Sequence, residues 1–187
     1  MVRLATLSAR NADTSAALRE LAAKLPAAEI RPALAFLFHG DRHDAPLIAA
    51  SLADVLPCPF IGGTSHGGSM LAAEMADADA LSLLMIEDPD GCYGVAARDM
   101  PAATDPATVA LTARATLLDA LRDAGRPGEL PALVWLYLTP GHEEAILAGL
   151  RSVIGDNCPI VGGSAADERI DGHWRQVTRA GALSTGI

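Results

Sequence analysis

The sequence predicts an α/β fold of two duplicated lobes, each a βαβ unit with a mainly parallel sheet plus an antiparallel hairpin. Three observations predict it. Cys58-Pro59-Phe60-Ile61-Gly62-Gly63-Thr64 returns as Cys158-Pro159-Ile160-Val161-Gly162-Gly163-Ser164, with four identities and three conservative pairs. Pro32-Ala33-Leu34-Ala35-Phe36-Leu37-Phe38 returns as Pro131-Ala132-Leu133-Val134-Trp135-Leu136-Tyr137. Between these echoes each copy carries an Ala/Leu-rich amphipathic segment, 44–57 and 142–156. A period near 100 residues is too long for a solenoid, so it divides the chain into lobe one, 1–100, and lobe two, 101–187.

Val2 to Ser8 alternates as a strand does, and Asn11 to Thr14 offers a helix cap. Ala17, Leu18, Leu21, Ala22 and Leu25 follow at helical spacing until Pro26 stops them. Segment 33–38 is apolar throughout, as expected of a strand covered on both faces, with His39-Gly40-Asp41 at its carboxyl end. Helix 45–56 turns Leu47, Ile48, Leu52 and Val55 inward. Pro59 opens a short strand, where a missing N–H does least harm, and Gly67, Gly68 and Ser69 prolong the following loop to about Met75. Ala80 to Ile86 and 92–97 are expected to pair as a hairpin through Glu87-Asp88-Pro89-Asp90-Gly91. Pro101 to Asp105 reads as a linker. Helix 106–124 buries Val109, Leu111, Leu117, Leu118 and Leu121 and ends at Gly125. Strand 132–138 and helix 142–154 rebuild the unit, and 174–177 with 183–187 is expected to form a second hairpin. The chain stops inside that last strand, which reads as the truncation of a longer protein.

Composition excludes several classes. A net charge of −9, with 14 Lys and Arg spread evenly and no basic run, argues against a nucleic-acid surface. Three cysteines without a CxxC argue against a disulfide framework; Cys58 and Cys158 read as small hydrophobes inside strands and Cys92 as structural. No signal sequence or membrane span is visible, and the expected setting is the cytoplasm.

The chemistry centres on the two glycine turns. Paired glycines permit positive φ and let successive backbone N–H groups converge on an anion, with Thr64, Ser65 and Ser164 adding hydroxyls. Asp167 and Glu168, just past the second turn, offer an acid for a cation, so the turns suit a zwitterion. Arg169 is expected to make only a surface pair. The expected ligand-binding set is Gly62, Gly63, Thr64, Ser65, His66, Gly162, Gly163, Ser164, Asp167 and His39. His39 and His66 are the histidines placed to ligate a metal or haem, while His43, His142 and His173 read as structural or solvated. Catalysis is not expected: neither Ser65 nor Ser164 sits in a G-x-S-x-G elbow, and no Lys follows either Gly-Gly as a Walker A requires. A hydrolase or transferase using the Ser/Thr of these loops is the lowest-ranked alternative.

Ile61-Gly62-Gly63-Thr64-Ser65-His66-Gly67-Gly68 and Ile160-Val161-Gly162-Gly163-Ser164-Ala165-Ala166-Asp167 resemble the glycine turns of the FIST domain, and the resemblance to its N-terminal part runs from about residue 30 to the end. His66 stands where the family has a small residue, and Ala166 where a glycine is usual. The resemblance implies that 1–187 is a FIST N-terminal-like domain lacking the C-terminal segment that completes the family. It implies a sensory input domain of bacterial signal transduction that binds a small ligand such as an amino acid. Its partners would be histidine kinases, chemotaxis receptors or cyclic-di-GMP enzymes. It also implies an alternative, a haem-binding nitric-oxide sensor with His39 or His66 as the haem ligand.

Overall fold

The computed structural model describes residues 1–71, 74–100 and 105–187. Most of the expected linker lies outside these residues. β1 (Arg3–Arg10) leads into α1 (Thr14–Lys24), whose first turn is held by the Asp13 carboxylate accepting from the Ala16 N–H at 2.7 Å. β2 (Leu34–His39) is followed by α2 (Ala45–Val55), capped in the same way by Asp44, and then by β3 (Phe60–Thr64). β4 (Ser69–Leu71), β5 (Glu74–Asp77) and β6 (Ala80–Glu87) complete the first unit. α3 (Pro106–Asp123) starts at an Asp105 cap and carries Pro106 in its first turn, where no N–H is missed. β7 (Val134–Leu138), α4 (Glu143–Ile154) and β8 (Ile160–Ser164) form the second βαβ unit. β9 (Gln176–Thr178) and β10 (Gly181–Leu183) end the chain's regular structure.

The strands of the main sheet run in the order β1-β6-β2-β3-β9-β10. Only β2 and β3 are parallel; the other pairs are antiparallel, so the mainly parallel pattern expected from the sequence holds for β7–β8 and not for this sheet. Both βαβ units share one register. Leu37 lies opposite Gly62, and Leu136 lies opposite Gly162.

Four layers result. α1 and α2 cover one face of the large sheet over Leu37, Phe60, Leu81 and Leu83. α3 and α4 cover β7–β8 over Leu136 and Leu138 with Val109, Ile146 and Leu150. Alternation along each strand leaves Phe36, Phe38, Trp135 and Tyr137 on the opposite faces, where the two sheets meet. Phe36 packs edge-on against Trp135 at 4.7 Å, and Phe38 against Tyr137 at 5.8 Å. These are the echoed positions of the sequence, each touching its counterpart.

Four expectations are corrected. The loop expected to run to Met75 contains the antiparallel pair β4–β5. Segment 92–97 does not return onto β6, which is occupied on both edges by β1 and β2. It packs instead on α3, where the Val95 N–H donates to Asp123 and Arg98 pairs with Asp119. There 98–100 runs beside the chain's last residues: the Arg98 N–H donates to the Ile187 carbonyl at 2.8 Å and the Met100 N–H to that of Thr185 at 3.3 Å. In the first unit the Asn11 N–H donates to the Asp79 carbonyl in the same manner, at 3.1 Å. The final hairpin is tighter than expected, turning at Arg179-Ala180, with 185–187 peeled away to bond 98–100. Among expected core residues, Leu47, Val55 and Leu111 face outward, Leu111 at 63% exposure; small Ala49 and Ala113 fill the inward stripes instead.

Candidate functional site

The carboxyl ends of β2, β3, β7 and β8 bring the loops after them together, where open α/β sheets place ligands. The first glycine of each turn is dictated by the ladder. A Cβ on Gly62 would lie 1.7 Å from the Leu37 carbonyl oxygen, and one on Gly162 would lie 1.8 Å from that of Leu136. The second glycines differ. A Cβ on Gly63 would meet the Arg175 carbonyl oxygen at 2.0 Å, because β9 closes that edge, whereas one on Gly163 would meet nothing within 4 Å.

The donors of the first turn are engaged within the protein. The Thr64 N–H donates to the Arg175 carbonyl at 3.0 Å, and the Ser65 N–H to that of His39 at 3.0 Å. Thr64 Oγ1 accepts from the Arg175 N–H at 2.9 Å. The Thr64 carbonyl receives the Tyr137 hydroxyl and the Ala166 N–H, and burial raises the Tyr137 phenol so that it stays a donor. The exposed His66 donates from Nδ1 to the Asp167 carbonyl at 3.0 Å. The two glycine turns are thus joined directly, Thr64 to Ala166 and His66 to Asp167. Ser164 donates to Glu143 at 2.7 Å. Burial works against the ionised Glu143, but this hydroxyl and the Gly141 N–H outweigh it and hold the carboxyl below its usual range.

Asp167 is fully buried, and its carboxylate accepts from the N–H groups of Asp171, Gly172 and His173 at 3.1, 2.8 and 2.6 Å. Burial opposes its charge, yet these amides together hold its pKa below the ordinary value. Asp167, Asp171 and His173 offer three ligand atoms within 4.8 Å of one another, the one grouping among the described residues that could hold a metal ion.

His39 is also fully buried. Its Nδ1–H donates to the Gly40 carbonyl at 2.7 Å and its Nε2 has no partner among the described residues. Burial pushes its pKa down to about 4, so the ring is neutral at physiological pH. The unfolded chain therefore takes up this proton first as pH falls. Stability from His39 is complete above about pH 6.5 and declines toward pH 4, by about 3 kcal/mol in all. His39→Asn keeps a donor for Gly40 and removes the titration. Its urea midpoint is expected to change much less than wild type's between pH 7.5 and pH 4.5; an unchanged slope would show that another group titrates there.

A cavity of about 220 Å³ opens between the loops after β2 and β8, lined by Asp41, Arg42, Glu168, Arg169, Asp171 and His173. The Glu168 N–H donates to Asp41 at 3.0 Å and ties the two loops across it. Arg169, expected to make a surface pair, makes no ion pair among the described residues. Of this lining the sequence marks Glu168 as a candidate acid and misses the rest, because no motif marks it; the available signal is charge in both loops that leave equivalent strand ends. A larger cavity of about 340 Å³, around Arg3, Glu29, Arg31 and Glu87, lies at the opposite end of the sheet, away from both turns. Neither cavity is lined by His39 or His66. His39 is buried and His66 is exposed outside both.

Two stacked sheets between helical layers, with joined loops and a charged cleft at the strand ends, define an α/β domain. Residues 33–187 match the FIST N domain family model, and the chain belongs to the FIST family. FIST domains are sensory domains of signal transduction. No curated protein matches the chain. No helix among the described residues is long and apolar enough to cross a membrane.

Proposed function

We propose that this chain is a non-catalytic sensory input domain that takes up a small zwitterion, an amino acid, in the cleft between the loops after β2 and β8. The observation that carries this reading is that Arg169, which makes no ion pair among the described residues, lines a cavity of about 220 Å³ together with Asp41 and with Asp171, the latter paired with His173. A guanidinium receives a carboxylate in fork geometry, and the two acids receive an ammonium. The glycine turns act as the frame: Thr64 and His66 hold Ala166 and Asp167, and Asp167 folds loop 168–173 into place. Ligand closure of the two loops would alter the surface presented to a signalling partner, a histidine kinase or a cyclic-di-GMP enzyme.

A thermal-shift screen of the amino acids tests the reading. A true ligand at a hundredfold excess over its Kd stabilises the fold by about 2.7 kcal/mol, which registers as a rise in Tm of several degrees. Arg169→Ala and Asp41→Ala are each expected to remove that rise. No shift with any amino acid, or a shift that survives both substitutions, counts against the proposal.

A further inference from the structure

The cleft between the loops after β2 and β8 has a lining of one kind. Asp41, Arg42, Glu168, Arg169, Asp171 and His173 are all ionisable, and no apolar side chain stands among them. Not every cavity of this protein is made that way: the one at the opposite end of the sheet is walled by Leu25, Pro26 and Ile30 as well as by charges. An apolar ligand side chain would gain little in the cleft, since it would strip water from charged groups and offer them no partner. The signs are also unequal. Three carboxylates are set against two guanidiniums, and Arg42 pairs with Asp79, outside the lining, at 3.6 Å.

A zwitterion is neutral and leaves that excess of negative charge where it was. Its carboxylate takes Arg169, and its ammonium takes Asp41 and Asp171, the second of which already holds His173. Glu168 is then the acid left over. It is exposed, its backbone N–H is fixed on Asp41 at 3.0 Å, and its carboxylate makes no ion pair among the described residues. Resting on the amino-acid reading of the cleft, we infer that its ligand is a basic amino acid, of the lysine, ornithine or arginine kind, with the side-chain cation on Glu168. A volume of about 220 Å³ lies under the roughly 300 Å³ at which pockets for drug-sized ligands begin, so a single amino acid suits the cleft and a peptide does not. An acidic amino acid would set a second carboxylate against the same excess, and the chain's net charge of −9 draws cations and repels anions.

Isothermal titration calorimetry with L-lysine and L-norleucine isolates the inference, since the two differ only in the side-chain ammonium. Lysine is expected to bind about tenfold tighter or more, the worth of one charge-assisted hydrogen bond. Glu168→Gln keeps the size of the side chain and the N–H bond to Asp41, and is expected to bring lysine down to the affinity of norleucine. Norleucine or glutamate binding as tightly as lysine, or a lysine preference that survives Glu168→Gln, overturns the inference and leaves the amino-acid reading standing. No binding of any amino acid, or cadaverine (lysine without its carboxylate) binding as tightly as lysine, overturns both.

Discussion

Gly62→Val is expected to destabilise the fold by about 3 kcal/mol or more, and Gly162→Val by a similar amount, against a total stability of about 5–15 kcal/mol for a domain. The added Cβ would stand 1.7 Å from the Leu37 carbonyl oxygen at position 62, and 1.8 Å from the Leu136 oxygen at position 162. Both obstacles are backbone atoms inside a parallel ladder, so no rotamer change relieves them; the strands must part and lose their bonds. Gly163→Ala is the internal control, since its Cβ meets nothing within 4 Å, and it should fall within about 0.5 kcal/mol of wild type. Urea unfolding of the three variants checks this. A Gly62→Val protein as stable as Gly163→Ala would mean that the two strands do not run in this register.

The contrast between positions 62 and 163 shows what could be read in the sequence and what could not. The apolar runs 33–38 and 132–138, each followed by a helix and a Gly-Gly strand, made the βαβ units legible, because burial and turn chemistry are local properties. That Phe36 meets Trp135 and Phe38 meets Tyr137 was not legible; the echo shows equivalence, and only packing decides that equivalents touch. The Asp88-Pro89-Asp90-Gly91 signal marks a chain reversal but does not say which strand receives the chain, and 98–100 finds the end of the second unit instead of β6. β9 likewise crosses from the second unit to close β3, a pairing at a separation of over 100 residues that no window reveals. The glycine loops were identified as the site's position, and the structure does bring them together. The first loop's amides, though, are spent on Arg175 and His39, and charged residues with no motif line the cleft.

Asp167→Ala is expected to cost about 1–3 kcal/mol, because three part-buried N–H groups lose the charged acceptor they share. The sequence marked this acid as a partner for a bound cation, but both carboxylate oxygens are turned into its own loop, which makes it the organiser of residues 168–173. The folded pKa is held below the unfolded value. The stabilisation is therefore present in full above the ordinary Asp range and is lost as pH falls below about 4. That window lies beneath the one assigned to His39, so the two can be separated in a single pH series. The substitution also discriminates between frame and ligand contact. Asp167→Ala should lower Tm and abolish any amino-acid shift, since loop 168–173 loses its shape, whereas Arg169→Ala should abolish the shift and leave Tm without ligand unchanged. If Asp167→Ala keeps wild-type stability, its three amides are satisfied elsewhere and the cleft does not depend on it.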